Sequence, residues 1–288
     1  MLFSDKYLAK PENEIKLSKI STSDTLDYKT KDDTKKLLKQ NIKKMIELQG
    51  KLYAHNKYSV LIVFQAMDAA GKDSTIKSVM SGLNPQGTQV YSFKQPSTEE
   101  LDHDYLWRIH KVVPERGRIG IFNRSHYEEV LVVRVHNFIK NQNIPEKLIA
   151  KDVWPKRYEQ IKNFEKHLYE NGTIIMKFFL HISKEEQKKR FLKRIDNESK
   201  NWKFSAGDIE ERKYWNDYRK CYEEAINATT KNYSPWFIIP ADHKWFMQFA
   251  VSQIINEQLE KADISYPRLS KEQLKKLGEY RKILTGEK

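Results

Sequence analysis

An α/β fold built on a parallel sheet is the fold class that this 288-residue sequence predicts. Short apolar segments alternate with longer segments of helical period, which is the pattern of βαβ units. The first apolar segment, residues 58–64, has the unbroken apolar run of a strand buried on both faces. It ends in small residues followed by Gly71 and Lys72, which is the outline of a strand, a phosphate-binding loop and a helix. We therefore expect a central parallel β-sheet flanked by helices, with a phosphate site after its first strand.

The elements follow from periodicity, capping boxes and turn clusters. Residues 32–55 form the first predicted helix, because Leu38, Ile42, Met45 and later leucines recur at steps of three and four. The strand at 58–64 and a helix to about 81 come next. The remaining predictions, in chain order, are a strand at 88–93, a helix at 98–113, a strand at 118–122, a helix from 125, a helix at 153–170, a strand at 173–180, a basic helix from 184, a polar mobile stretch at 196–208, a helix at 208–229, a strand at 236–239 and a long helix capped by Asp242.

Three regions are expected along the chain. Residues 1–30 are polar and without period, so we expect an arm on the surface. We expect residues 31–261 to form the P-loop domain, including a lid at about 184–213. Residues 262–288 are a charged C-terminal extension.

Composition favours a protein that binds a polyanion and argues against a membrane or secreted protein. The 52 Lys and Arg against 39 Asp and Glu give a net charge of +13, which favours a polyanionic partner, although a lysine-rich proteome would also produce it. No apolar run reaches the roughly 18 residues of a membrane span, and the N-terminus lacks the layout of a signal peptide. The single cysteine, Cys221, fits a reducing compartment, so we expect a cytoplasmic protein. We expect no membrane partner, and no nucleic-acid partner because the sequence shows no helix-turn-helix, zinc-ligand or RNA-stacking motif.

The loop departs from the usual pattern of phosphate loops. Ala66 replaces the first glycine, and Asp73 stands where a metal-binding Ser or Thr is usual. Asp68 adds a carboxylate that would repel a phosphate unless Mg²⁺ lay between them, although a turn-forming or helix-capping Asp is the alternative. The predicted phosphate-binding residues of this loop are Ala69, Ala70, Gly71, Lys72, Asp73 and Ser74.

A second group of candidates follows the neighbouring strands. Arg124 comes at the carboxyl end of the third strand, where ligands bind in parallel sheets and an arginine can contact phosphate oxygens. A salt bridge at a helix start is the alternative for Arg124, and a capping box is the alternative for Glu128. Lys94 ends the second strand at the same edge. Arg134, further along the predicted helix, faces either this pocket or solvent.

The basic helix supplies the lid candidates. Arg190 and Arg194 are four residues apart and share a helix face. A lid that brings them onto the transferring phosphate is the functional interpretation, and a solvated charged face is the alternative.

Four sequence blocks together resemble the polyphosphate kinase 2 family, in particular the class that accepts nucleoside mono- and diphosphates. They are AMDAAGKD at 66–73, MSGLNPQG at 80–87, SFKQP at 92–96 and FNRSHYEEVLVVRVH at 122–136. The resemblance implies a thymidylate-kinase-like P-loop kinase fold with a helical lid.

The resemblance also implies residue roles. Asp68, Lys72 and Arg124 match the catalytic positions, and Asp68 matches the metal-binding aspartate of the loop. Arg190 and Arg194 fall in the lid that binds polyphosphate. Many members carry Asp where this chain has Asn123, which weakens a direct metal ligand at this position and shifts weight to Asp68 and Glu128, with Asn123 kept as a further candidate. The candidates for the acceptor nucleotide, Lys94, Arg124, Glu128 and Arg134, come instead from their positions after the second and third strands.

The expected function is reversible transfer of the terminal phosphate between inorganic polyphosphate and purine nucleotides, AMP and ADP or GMP and GDP. The resemblance implies Mg²⁺, with Mn²⁺ as the alternative, and we expect no covalent enzyme intermediate. We also expect a homo-oligomer. An ATP-dependent small-molecule kinase and a nucleic-acid-binding P-loop protein are the competing functions.

Overall fold

The computed structural model describes residues 2–287 and contains one five-stranded sheet in which every pairing is parallel. The spatial order of the strands is β2-β3-β1-β4-β5. Their bounds are β1 Ser59–Ala66, β2 Thr88–Ser92, β3 Ile119–Asn123, β4 Thr173–His181 and β5 Trp236–Pro240. All eight residues of β1 are buried at the centre of the sheet, so the α/β fold class is confirmed.

Helices flank this sheet. The α-helices are α1 Lys31–His55, α2 Lys72–Val79, α3 Thr98–Leu101, α4 Trp107–His110, α5 Val132–Val135, α6 Val153–Glu170, α7 Lys184–Ile195, α8 Glu198–Asn201, α9 Ala206–Glu211, α10 Trp215–Thr229, α11 Lys244–Lys261 and α12 Lys271–Gly286. Helix α11 packs on α1 and α2, and α10 packs on α6. These contacts build two helical layers on the sheet. The candidate site lies in the loops that follow the carboxyl ends of the strands.

Two predicted helices are shorter than expected. The helix expected at 98–113 is broken into the single turns α3 and α4. The helix expected from Ser125 is a 3₁₀ turn, His126–Val130, followed by the four-residue α5. Leu131, with φ −112° and ψ −92°, leaves the helical region between them, so the expected capping box does not start a regular helix.

The predicted cap of the last long helix is also wrong. His243 precedes α11, and the Asp242 carboxylate instead accepts hydrogen bonds from the Ser183 amide and the Thr22 hydroxyl, at 2.8 and 2.7 Å. Asp242 therefore joins the N-terminal arm to the start of α7.

The arm covers the outer edge of the sheet rather than only lying on the surface. The Ala9 amide donates to the Trp236 carbonyl, and the Ile238 amide donates to the Tyr7 carbonyl. Tyr7 and Ala9 are buried by this pairing. The arm thus satisfies backbone groups of β5 that an exposed edge strand would leave free.

The C-terminal extension forms α12, whose apolar side chains Leu274, Leu277, Ile283 and Leu284 are all more than half exposed. The expected homo-oligomer stays a prediction. Within residues 2–287, no helix combines the length and the apolar composition that crossing a bilayer requires.

Candidate active site

The phosphate loop connects β1 to α2 through residues 67–71, and two of its residues adopt the left-handed backbone region. Ala69 has φ 59° and Gly71 has φ 110°. A Cβ atom at Gly71 would also lie 3.2 Å from both the Met247 methyl and the Ser74 hydroxyl. Gly71 is therefore required by conformation and by space, whereas Ala69 carries local strain of the kind found at functional sites.

Lys72 folds back over the loop that precedes it. Its Nζ donates to the carbonyl oxygen of Ala66, the last residue of β1, at 3.0 Å. Burial lowers the pKa of Lys72, the nearby charge of Arg124 lowers it further, and the carboxylate of Asp68 partly opposes both effects. An anionic phosphate in the loop would stabilise the ammonium form of this lysine.

Arg124 lies between the two acidic candidates. Its Nη2 is 3.1 Å from Asp68 Oδ1, and its Nη1 is 3.6 Å from Glu128 Oε2. The neighbouring Glu128 and Asp68 raise the pKa of Arg124 although burial opposes them. Arg124 itself has φ 64°, so its backbone is held in a strained conformation right after β3.

Two cavities meet at this arginine. The larger has a volume of about 730 Å³ and lies between the segments that follow β2 and β3 and residues 138–160; Lys94 is part of its lining. The smaller, of about 40 Å³, lies between Asp68 and residues 187–222 of the lid side. Arg124 and Glu128 line both cavities, so a ligand in the larger one reaches the side chains that face the loop.

The acidic residues fit a sparsely coordinated metal ion. No cluster of three metal-ligating His, Cys, Asp or Glu side chains occurs in residues 2–287. Mg²⁺ does not need one, because it is usually held by one or two carboxylates, water and substrate phosphates. Asp68 and Glu128 both line the small cavity and can supply these carboxylates. Asn123 is engaged elsewhere, since its Nδ2 donates to Asp73 Oδ1 at 2.7 Å.

The structure places Arg190 behind the loop rather than on its phosphate side. Its Nη1 donates to the carbonyls of Ala69 and Ala70, at 3.1 and 2.5 Å, and its Nη2 donates to those of Ala241 and Asp242. Its Nε donates to Glu186 at 2.8 Å. These five bonds use all five N–H donors of the guanidinium. The expectation that Arg190 contacts phosphate is corrected accordingly: this side chain braces the loop.

The other two arginines lie apart from the loop. Arg194 donates to the Lys203 carbonyl and is 3.7 Å from Asp208, so it joins α7 to residues 203–208 within the predicted lid. Arg134 pairs with Glu224 and donates to the Tyr158 hydroxyl. In the described chain neither cavity has Arg134 in its lining, which corrects its expected role at the acceptor nucleotide.

Sequence reasoning missed a buried cluster beneath the turn that carries Arg124 and Glu128. Lys177 and Glu165 form an ion pair of 2.6 Å in which both side chains are fully buried. The signal was Lys177 itself, a charged residue in the middle of the apolar strand β4. A lysine there needs a buried acceptor.

The comparisons with known proteins point to one family. The chain is 51% identical over 259 residues to an ADP-polyphosphate phosphotransferase of Rhodopseudomonas palustris, which covers 89% of this chain and 90% of that protein. It is 45% identical over 264 residues to an AMP/ADP-polyphosphate phosphotransferase of Meiothermus ruber, with 91% and 95% covered. The crystal structure of polyphosphate kinase 2 from Arthrobacter aurescens superposes with a TM-score of 0.86 at 37% identity, covering 94% of this chain and 93% of that one. The model of the polyphosphate kinase 2 family matches residues 28–267, and this protein therefore belongs to that family.

Proposed function

We propose that this protein transfers the terminal phosphate of inorganic polyphosphate to AMP or ADP, with GMP and GDP as the alternative purine acceptors, and that the transfer is reversible. The observation that carries the proposal is the shared wall of the two cavities. Arg124 and Glu128 line both of them. An acceptor phosphate in the larger cavity and a donor phosphate on the loop would therefore meet at Arg124.

The transfer needs positioning and charge neutralisation rather than a base. A terminal phosphate oxygen of the nucleotide attacks the terminal phosphorus of polyphosphate as the P–O bond to the next phosphate breaks. The shortened polyphosphate leaves with the electron pair and the negative charge. Because the attacking oxygen is already anionic, no proton has to be removed and no covalent enzyme intermediate is required.

The named residues divide this work. The loop amides and Lys72 hold the donor phosphate, Arg124 neutralises charge between donor and acceptor, and Lys94 steers the acceptor phosphate. Lys94 lines the larger cavity, and its carbonyl accepts from Arg108 at 3.1 Å, which holds the segment after β2 in place. Arg190 contributes indirectly through the loop carbonyls.

Members of this family generally depend on a divalent metal. We propose Mg²⁺, with Mn²⁺ as the alternative, held by Asp68 and Glu128. The ion would shield the phosphate charges from these carboxylates. Without that shielding, Asp68 would repel a phosphate on the loop.

The test is a donor and acceptor matrix on the purified protein. Polyphosphate and ATP are each offered as donor, and AMP, ADP, GMP and GDP as acceptors. We expect nucleotide products with polyphosphate as donor and none when EDTA removes the metal. Transfer from ATP to another small molecule, with no response to polyphosphate, would overturn the proposal in favour of an ATP-dependent kinase.

A further inference from the structure

A buried polar cluster lies directly beneath the turn of the active site. We call it the buried cluster: it consists of Lys177, Glu165, Tyr127 and His126, with Thr229 and Ser234. Lys177 Nζ donates to Glu165 at 2.6 Å, to the Tyr127 hydroxyl at 3.0 Å, to the Thr229 carbonyl at 3.0 Å and to Ser234 at 3.1 Å. These contacts join β4, α6, α10, the segment before β5 and the turn His126–Val130.

The cluster is ionic although it is closed to solvent. Burial alone would raise the pKa of Glu165, but the ammonium of Lys177 and the hydrogen bond with His126 outweigh it and lower the pKa to about 2. Glu165 is therefore a carboxylate at neutral pH. Replacing both members of a buried ion pair by apolar side chains of similar size is often neutral for stability, although removing only one of them is costly. The presence of the pair calls for another role.

The position of the cluster indicates that role. Ser125 is the one residue between Arg124 and His126. The Ser125 hydroxyl accepts hydrogen bonds from Gln65 Nε2 and from the Tyr127 amide, each at 3.1 Å. The Tyr127 hydroxyl reaches Glu165 and Thr229, each at 2.8 Å. The backbone that carries Arg124 is thus fixed from below within three residues.

We propose that Tyr127, Glu165 and Lys177 are positioning residues for phosphoryl transfer. They hold the strained turn after β3 so that Arg124 and Glu128 stay between the two cavities. This role rests on the proposed function, because it assumes that Arg124 contacts the phosphates. The phosphate loop is braced separately by Arg190, so loss of the cluster affects the acceptor side more than the donor side.

The decisive variant is Tyr127→Phe, which keeps the buried ring and removes one hydroxyl. Its matched control is Ser252→Ala, which removes a buried hydroxyl that accepts from Asn41 at the α1–α11 interface, away from the site. We expect Tyr127→Phe to lower kcat about tenfold and to raise the KM for ADP about threefold, since small displacements of positioning groups have effects of this size or larger. We expect the KM for polyphosphate to change less than about twofold, and Ser252→Ala to leave all three constants unchanged within about twofold.

Protein stability is measured beside activity to separate positioning from folding. Both variants should lower the urea midpoint, and Tyr127→Phe should lower it more, because the Tyr127 hydroxyl contacts three buried groups whereas the Ser252 hydroxyl contacts two. A second variant, Lys177→Met with Glu165→Leu, replaces the ion pair by apolar side chains and should fold with reduced kcat. If Tyr127→Phe and Ser252→Ala have the same kinetic constants, or if a folded double variant has wild-type kcat, the positioning role is wrong.

Calorimetric binding of ADP without any donor separates this inference from the proposed function. Tyr127→Phe should weaken ADP binding about threefold relative to wild type and to Ser252→Ala, whichever donor the enzyme uses. Unchanged ADP binding together with unchanged kcat would overturn the positioning role. Absence of transfer from polyphosphate in the wild-type protein would overturn the proposed function alone.

Discussion

The phosphate loop and the turn after β3 face each other across the site, but they are held by different means. The loop is held through its backbone: Arg190 binds two of its carbonyls, and Lys72 closes it onto Ala66. The turn is held through side chains, since Tyr127 is anchored on Glu165 and Lys177 in the core. The phosphate loop, on the donor side, is thus held mainly by contacts within itself and by Arg190. The turn, on the acceptor side, depends on residues from distant parts of the chain.

The largest expected effect tests the donor side. Lys72→Ala should lower kcat by about 10³-fold, because one preorganised cationic donor at a site of charge development is worth up to about 4 kcal/mol. The matched control is Lys77→Ala, an exposed lysine on the same helix, which should retain wild-type kcat. Single-turnover transfer to ADP measures the effect. A Lys72→Ala enzyme with wild-type kcat would contradict the assignment of the loop.

The next prediction removes the brace of the loop. Arg190→Met leaves four backbone carbonyls without their donor, so the free energy of unfolding should fall by about 3 kcal/mol, as for other broken buried ionic contacts. The control Arg194→Met removes a more exposed pair and should cost at most about 1 kcal/mol.

Urea unfolding measures both arginine variants, and the KM for polyphosphate is measured beside it. The KM should rise in Arg190→Met because the loop loses its support. Equal stabilities of the two variants, with activity lost only in Arg190→Met, would instead indicate that Arg190 binds phosphate directly.

The third prediction concerns the acceptor side: the buried cluster that holds its turn should make the free energy of unfolding depend on pH. Its key carboxylate, Glu165, has a pKa lowered from 4.5 to about 2, so its contribution is present above about pH 4.5 and is lost as the pH falls toward 2. The free energy of unfolding should fall by about 3 kcal/mol over this window. His126 also lowers the free energy of unfolding in acid. Burial lowers the pKa of His126 in the folded protein, so its imidazole binds a proton more readily in the unfolded chain.

Acid unfolding of wild type and of Glu165→Gln measures this contribution. The variant has no carboxyl group at this position, so its stability should depend less on pH between about 4.5 and 2. The same pH slope in both proteins would show that Glu165 is not ionised in the folded protein.

The difference between the loop and the turn also explains which parts of the site the sequence could predict. The loop was predictable because its chemistry is contiguous: β1, Gly71 and Lys72 lie within fifteen residues. The brace was not, since Arg190 reads as a lid residue until the fold brings it behind Ala69 and Ala70. The turn after β3 was not predictable either. Helix capping rules consider only neighbouring residues, and Lys177, which contacts Tyr127, is 50 residues further along the chain.

The smallest expected effect compares two adjacent glutamates of the turn. Glu128 faces Arg124 and lines both cavities, whereas Glu129 lines the larger cavity but not the smaller one, is 6% exposed and pairs with Arg157 at 3.2 Å. Gln142 also donates to both Glu129 oxygens. Glu128→Gln should therefore lower kcat about tenfold, about 1.4 kcal/mol, with little change in stability.

Glu129→Gln should show the opposite distribution. It removes the charge that faces Arg157, so the free energy of unfolding should fall by about 1 kcal/mol while kcat changes less than about threefold. Steady-state kinetics give kcat, and urea unfolding gives the free energy of unfolding, for both variants. If Glu129→Gln had the larger kinetic effect, Glu129 rather than Glu128 would be the glutamate that acts on the phosphates.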